Sequence, residues 1–238
     1  MIKLSPRLDT ISKEILKGET MADIGTDHGF LPIYLWEKGI SPHVVLTDIS
    51  PGSLKKASDN CLKLYPETKF DLRLGAGLTV LKEQEVDAVV IAGMGGLLMA
   101  EILDNDLEKS LSYKKIILQP RNNVGPLRFW LYNNGFRINN EQLVEEGRFI
   151  CEIITAVPKE IAIPNGMTKE DIEWEFPLSL IDFQNHLTIP YLINKRKKEE
   201  LILESMGKAH STKFYEIRKQ KYRISYIDYL LRRLKDEN

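Results

Sequence analysis

Met21-Ala22-Asp23-Ile24-Gly25-Thr26-Asp27-His28-Gly29 is the stretch that decides the fold. Thr20–Ile24 is a short apolar run bounded by glycines, which reads as a strand. Phe30–Lys38 reads as a helix, so the quoted residues cover a strand, a glycine turn and the approach to a helix. Gly25 permits a tight turn and close approach of a ligand, and Gly29 lets the helix pack close to the strand. The alternation continues downstream. Further strands are expected at Val44–Thr47, Phe70–Leu74, Ala88–Ala92 and Lys115–Gln119. Helices are expected between them at Gly52–Leu64 and Leu97–Leu103, with a short piece around Leu78–Leu81. Continuous apolar strands separated by helices imply a parallel sheet covered on both faces. A helix at Val124–Asn133 then precedes Phe136–Ile138 and Ile150–Val157. Those two segments flank the hairpin-like Glu145-Glu146-Gly147-Arg148, so the sheet should end with an antiparallel strand. Upstream, Ser5 as N-cap and Pro6 in the first turn open a helix through Leu8, Ile11, Ile15 and Leu16, which Gly18 can end. The expectation is a doubly wound α/β domain over residues 1–158.

Pro158 and Pro164-Asn165-Gly166 break this pattern and mark a boundary. Residues 159–238 read as a small all-α domain. Ile189, Leu192, Leu203 and Met206 form one stripe, and Ile217, Ile224 and Leu231 recur every seven residues, joined by Ile227 and Leu234. Two amphipathic helices folded into a coiled-coil-like hairpin explain both stripes, with Lys221 and Asp228 interrupting the seam. The charge is uneven: residues 195–235 carry 13 basic and 5 acidic side chains on a chain of net charge −1. Such a block is a footprint for a polyanion or a solvated helix face. Lys195, Arg196, Lys197 and Arg218 are its candidate phosphate contacts. The composition is otherwise that of a globular protein, 43% hydrophobic and 28% charged. Runs such as Val89–Ala92 and Ile116–Leu118 are far too short to span a bilayer, and the first residues lack the apolar core of a secretion signal. Cys61 and Cys151 offer neither a disulfide framework nor metal-ligand spacing. A cytoplasmic chain is expected, monomeric or weakly dimeric, with no metal and no membrane partner.

The glycine turn departs from G-x-G-x-x-G by placing Asp27 and His28 in its middle. A dinucleotide pyrophosphate needs uncharged backbone at the helix N-terminus, and Asp27 would repel it. S-adenosylmethionine has no phosphate and carries two cationic groups, so acidic residues suit it. Asp23 is placed to meet its ammonium end. Asp48, closing the second strand, can accept both ribose hydroxyls. Thr26, beside Gly25, and Ile49, after Asp48, complete the expected lining with Asp27 and His28. This pattern resembles the class I S-adenosylmethionine-dependent methyltransferases. Where many of those enzymes carry an aspartate for the cofactor's adenine amino group, this chain has Gly75-Ala76-Gly77. Ala76 cannot accept that bond, so a backbone carbonyl or a neighbouring side chain must substitute. After the fourth strand, Gly93-Met94-Gly95-Gly96 stands where amino-group methyltransferases of nucleic acids usually carry (Asp/Asn)-Pro-Pro-(aromatic). The bare backbone of Gly93 and Gly95 suits close approach of a methyl donor and a planar base, with Met94 the one sizeable side chain.

Leu4-Ser5-Pro6-Arg7-Leu8, Asp23-Ile24-Gly25-Thr26-Asp27-His28, Gly93-Met94-Gly95-Gly96, Leu118-Gln119-Pro120 and the basic helical C-terminus together resemble the bacterial tRNA (adenine-N1)-methyltransferase family often called TrmK. The resemblance implies a Rossmann-like catalytic domain, a coiled-coil-like C-terminal domain and methylation of N1 of adenine 22 in tRNA. N1 of adenine has a free in-plane lone pair, so transfer needs positioning more than deprotonation. Asp27, His28, Met94 and Gln119 are the candidate residues of the transfer centre. Arg7, Phe30, Arg121 and Asn122 are candidates for holding the substrate base or a phosphate, Phe30 by stacking on a flipped-out base. Two further readings stay open: a class I methyltransferase acting on a protein or small molecule, and an inactive RNA-binding scaffold. An NAD-dependent oxidoreductase is disfavoured by Asp27.

Overall fold

The structure, a computed structural model, describes residues 2–159, 167–182, 185–208 and 214–236. The chain divides into two compact units, Met1–Lys169 and Glu170–Asn238. Pro164-Asn165-Gly166, read above as the break, lies outside the described residues.

The first unit runs α1 (Pro6–Lys13), β1 (Met21–Ile24), α2 (Phe30–Glu37), β2 (Val44–Asp48), α3 (Pro51–Leu64), β3 (Asp71–Leu74), a 3-10 turn (Gly77–Val80), β4 (Ala88–Met94), α4 (Gly96–Asp104), α5 (Leu107–Ser112), β5 (Lys115–Pro120), α6 (Val124–Asn133), β6 (Phe136–Glu146) and β7 (Phe149–Pro158). The seven strands form one sheet in the order β3-β2-β1-β4-β5-β7-β6, with β1 to β5 parallel and β7 antiparallel to both neighbours. Period-two alternation sends Ala22, Ile24, Val89 and Ile91 to one face, against Met99 and Leu103 of α4 and Leu127 of α6. Met21, Val44, Leu46 and Val90 go to the other, against Ile11 of α1, Ile33 of α2 and Ala57 of α3. Both faces are apolar, which is why the central strands read as unbroken hydrophobic runs.

Three local features differ from the sequence reading. The first helix stops at Lys13 rather than running to Gly18, because the Glu14 carboxylate turns onto the sheet and accepts from Asn140, Gln142 and Thr155. Helix α5, capped by the Asp106 side chain, lacks an apolar stripe long enough to announce it. Strand β6 extends through the polar residues 139–146, and a glycine turn at Gly147 joins it to β7. That polar strand is tied to a buried cation. Arg128 of α6 is 1% exposed, with Nε donating to Glu141 Oε1 at 2.7 Å and Nη2 to Glu152 Oε2 at 2.7 Å.

The second unit contains α7 (Ile172–Glu175), α8 (Ser179–Asp182), α9 (Thr188–Lys208) and α10 (Phe214–Asp236). Its core includes Trp174, Phe176, Tyr191, Leu192, Ile227, Leu230 and Leu234. Helices α9 and α10 pack on one another, as the hairpin reading requires. The seam keeps Ile227 and Leu234 of the expected stripe and is shifted from the rest of it. Ile217, Ile224 and Leu231 are only half-buried, while Gln220 is buried with Ile227 and Leu234, seven residues apart. Gln220 and Arg223 both bond the buried Glu199 carboxylate, so the seam contains a polar lock. Lys221 is exposed and Asp228 takes a hydrogen bond from Arg196 at 2.6 Å, so neither interrupts the packing.

Replacing Arg128 by alanine leaves two carboxylates buried without their cation. The expected loss is about 3–5 kcal/mol of unfolding free energy, read from denaturant melts. A loss under about 1 kcal/mol would show that the ion cluster does not hold β6 in place.

Candidate active site

The carboxyl ends of β1, β2 and β4 and the loop after β3 open into a cavity of about 760 Å³. Strand β1 lies between β2 and β4, so the connections leave it in opposite directions at this point. Open α/β sheets take their ligands in that crevice. Two glycines keep its walls bare, each in the left-handed region that side chains avoid: Gly25 at φ 77° and Gly93 at φ 76°. A Cβ on Gly25 would fall on the Met94 Cε atom. Gly93 sits at the irregularity in the β4–β5 pairing and donates its N–H to Gln119 Oε1 at 3.2 Å. A Cβ there would stand 3.5 Å from Arg121 Nη2 and 3.9 Å from Arg7 Nη1.

Asp23, at the end of β1, is buried and accepts from the Thr26 hydroxyl at 2.8 Å. Burial pushes its carboxyl up to about 6; the Thr26 hydrogen bond and the Arg7 charge hold it down, and the Asp48 charge adds to the rise. Asp48, ending β2, is also buried and accepts from Ser50 N at 2.8 Å and Asp27 N at 3.2 Å. Those backbone donors fix its orientation and leave acceptor positions for a diol. At the rim, Asp27 has a positive φ of 47°, and its carboxylate meets Lys56 Nζ at 3.0 Å and His28 Nε2 at 3.4 Å. The His28 and Phe30 rings stack with centroids 5.3 Å apart. Arg7 reaches the cavity from α1, held by Gln119 Oε1 at 3.0 Å and paired with Glu146.

Cavity-lining residues therefore include Arg7, Asp23, Gly25, Thr26, Asp27, His28, Phe30, Asp48, Ile49, Gly75, Ala76, Gly77, Gly93, Met94 and Arg121. Three expected residues do not line it. Gln119 is 2% exposed, and both ends of its amide are bonded, to Arg7 and Gly93 on one side and to the Pro120 carbonyl on the other. Its amide therefore holds Arg7 and the Gly93 backbone in place from beneath the cavity. Asn122 is exposed, its backbone carbonyl accepting from Gly96 N–H, and its side chain lies against Gly95, the N-cap of α4. In the second unit Lys195 pairs with Glu175 and lies over the Phe176 and Tyr191 rings. Arg196 pairs with Glu200 and Asp228. Lys197 and Arg218 are exposed. The wall from α4 and α5, formed by Leu98, Glu101, Ile102, Asn105, Asp106 and Lys109, went unread in the sequence.

Asp23 and Asp48 under bare backbone suit S-adenosylmethionine: one buried carboxylate for the ammonium group, one oriented acceptor for the ribose, and no side chain where Gly25 and Gly93 pass the ligand. Comparison with known proteins agrees. The family described as methyltransferase domain matches residues 4–154. The tRNA (adenine(22)-N(1))-methyltransferase of Bacillus subtilis is 36% identical over 155 residues, an alignment spanning 65% of each chain. The crystal structure of the B. subtilis M1A22 tRNA methyltransferase TrmK superposes with a TM-score of 0.84 at 27% identity, covering 97% of this chain and 100% of that one. The structure of M. capricolum TrmK in complex with S-adenosyl-homocysteine gives 0.78 at 28% identity, covering 95% and 97%.

Below a pH of about 6 Asp23 takes up a proton and can no longer attract an ammonium group. Affinity for S-adenosylmethionine is therefore expected to be level above that pH and to weaken toward about tenfold per unit below it. Calorimetric titration across this range checks the expectation. Asp23→Asn should bind weakly with no such slope, and an equal slope in that variant would assign the dependence to another group.

Proposed function

The chain belongs to the methyltransferase-domain family, and from that premise we propose that it is a bacterial tRNA (adenine-N1)-methyltransferase that methylates N1 of adenine 22 of tRNA. S-adenosylmethionine supplies a methyl group made electrophilic by its sulfonium. What the chain adds is placement. Asp23 and Asp48 anchor the two polar ends of the cofactor on either side of Gly25. Gly93 and Met94 form a floor with no side-chain acceptor for an exocyclic amine, which favours a ring nitrogen as the methylated atom. The stacked His28 and Phe30 rings offer a platform for an unstacked base, whose extraction costs a few kcal/mol that stacking and edge contacts offset.

Adenine N1 carries no proton to remove, so the site needs no general base. Methylation leaves the ring cationic, and the Asp27 carboxylate at the rim stabilises that charge as it develops. Arg7 is compensated by Glu146 and held by Gln119. The Arg121 guanidinium beside Gly93 is placed for a phosphate of the target nucleotide. The observation that carries this reading is the pair of buried carboxylates under bare backbone at the sheet's switch point.

The exposed Lys197, Lys198, Arg218, Lys219, Lys221 and Arg232 of the helical unit supply a basic surface for the tRNA backbone, which Lys195 and Arg196 support only indirectly through their ion pairs. A tRNA substrate places the enzyme in the cytoplasm. No helix among the described residues is long and apolar enough to cross a membrane, and no group of His, Cys, Asp or Glu among them is arranged for a metal ion.

Incubation with labelled S-adenosylmethionine and bulk tRNA, followed by nucleoside analysis, should yield 1-methyladenosine. N6-methyladenosine or a methylated guanine in its place would overturn the proposal. Asp27→Asn should lower the methylation rate by about tenfold or more while cofactor affinity changes little. An unchanged rate would remove Asp27 from the mechanism.

A further inference from the structure

The cofactor reading leaves the adenine amino group without a partner at position 76, where the side chain is a methyl. The Ala76 carbonyl is already used, accepting from Thr79 N at 3.1 Å and Thr79 Oγ1 at 2.6 Å. We propose that Asn105, across the cavity on α4, supplies the missing contact and fixes the cofactor's adenine, an inference that rests on the cofactor reading above.

Leu98, Glu101, Ile102 and Asn105 recur at spacings of three and four, so they share one face of α4, and all four line the cavity. Ile102 shows where this face meets the loop after β3. A Cβ on Gly77 would stand 2.9 Å from Ile102 Cγ2, so the helix lies directly against that loop. Asn105 is three residues further along the same face, at the end of α4 remote from Gly93 and Met94. The cavity therefore has a transfer end, at Gly93, and a far end bounded by Gly75–Gly77 and Asn105, with Asp48 between β1 and β3 to hold the ribose.

Of the polar groups beside Asn105, Asp106, Lys109 and Thr79 are otherwise engaged, and the Glu101 carboxylate lies one turn nearer the transfer end. Asp106 accepts from Lys109 N at 3.1 Å through Oδ1 and pairs with Lys109 Nζ at 2.8 Å through Oδ2. The Thr79 hydroxyl donates to Ala76. The Asn105 side chain, at the C-cap of α4, is exposed and makes no hydrogen bond to the described residues. Its oxygen can accept from an exocyclic amine while its amide donates to the adjacent ring nitrogen, the two-point contact by which a carboxamide holds adenine.

The test is a binding cycle by calorimetry. It uses S-adenosylhomocysteine and its analogue whose purine lacks the 6-amino group, on wild type, Asn105→Ala and Asp106→Asn. Wild type should bind the analogue about tenfold more weakly than S-adenosylhomocysteine. Asn105→Ala should lose about the same factor for S-adenosylhomocysteine and discriminate little between the two ligands, with an unchanged melting temperature. Asp106→Asn should keep the wild-type discrimination. If Asn105→Ala keeps the wild-type affinity and discrimination, or Asp106→Asn alone loses them, the proposal falls while the cofactor reading stands. If wild type binds neither ligand, the cofactor reading itself fails.

Discussion

Two carboxylates, Asp23 and Asp48, lie buried side by side at the carboxyl edge of the sheet, and the rest of the site is arranged around that concentration of negative charge. Burying a carboxylate is costly unless donors or a cation compensate it. Asp48 is compensated by two backbone N–H groups, which hold it in one orientation. Asp23 has the Thr26 hydroxyl and the field of Arg7, and burial still pushes its carboxyl up to about 6. A ligand carrying positive charge completes the compensation. The parallel strands place both groups at one end of the sheet, and the reversal of connections between β1 and β4 opens the crevice above them.

From that pair the other features follow in order. Gly25 and Gly93 take left-handed conformations that side chains avoid, and the space beside Gly25 is taken by the end of the Met94 side chain. Gly93 then needs support, which comes from the buried Gln119 amide, and the same amide fixes Arg7. Arg7 in turn lowers the cost of the Asp23 charge. The proposed methyl transfer asks for little more, since a nitrogen with a free lone pair needs alignment and a site that tolerates the cation it becomes.

The fold was legible wherever burial on both faces wrote itself into composition. Strands β1, β2, β4 and β5 are continuous apolar runs because helices cover both sides, and the turn at Gly25 was legible because a left-handed backbone next to a ligand demands glycine. Strand β6 was read short because Glu141 faces inward, a pattern that makes sense only once Arg128 arrives from α6 to meet it. The second-unit seam was read only in part, at Leu192, Ile227 and Leu234, for the same reason: Gln220 and Glu199 occupy buried positions that hydrophobic periodicity assigns to leucine or isoleucine. Gln119 sat at the expected end of its strand, but its buried amide bonds Arg7 and the Gly93 backbone, contacts 112 and 26 positions away that local sequence does not announce. The α4 wall carries no local motif, and its residues become site residues only because Ile102 packs against the loop at Gly77.

The claim that the buried carboxylates hold the cofactor is tested most directly by titrating S-adenosylmethionine into wild type and Asp48→Ala by calorimetry. The account predicts one site on wild type and at least about tenfold weaker binding in the variant, because charge-assisted ribose hydrogen bonds are lost while the melting curve stays cooperative. Equal affinities in the two proteins, or no binding to wild type, would contradict it.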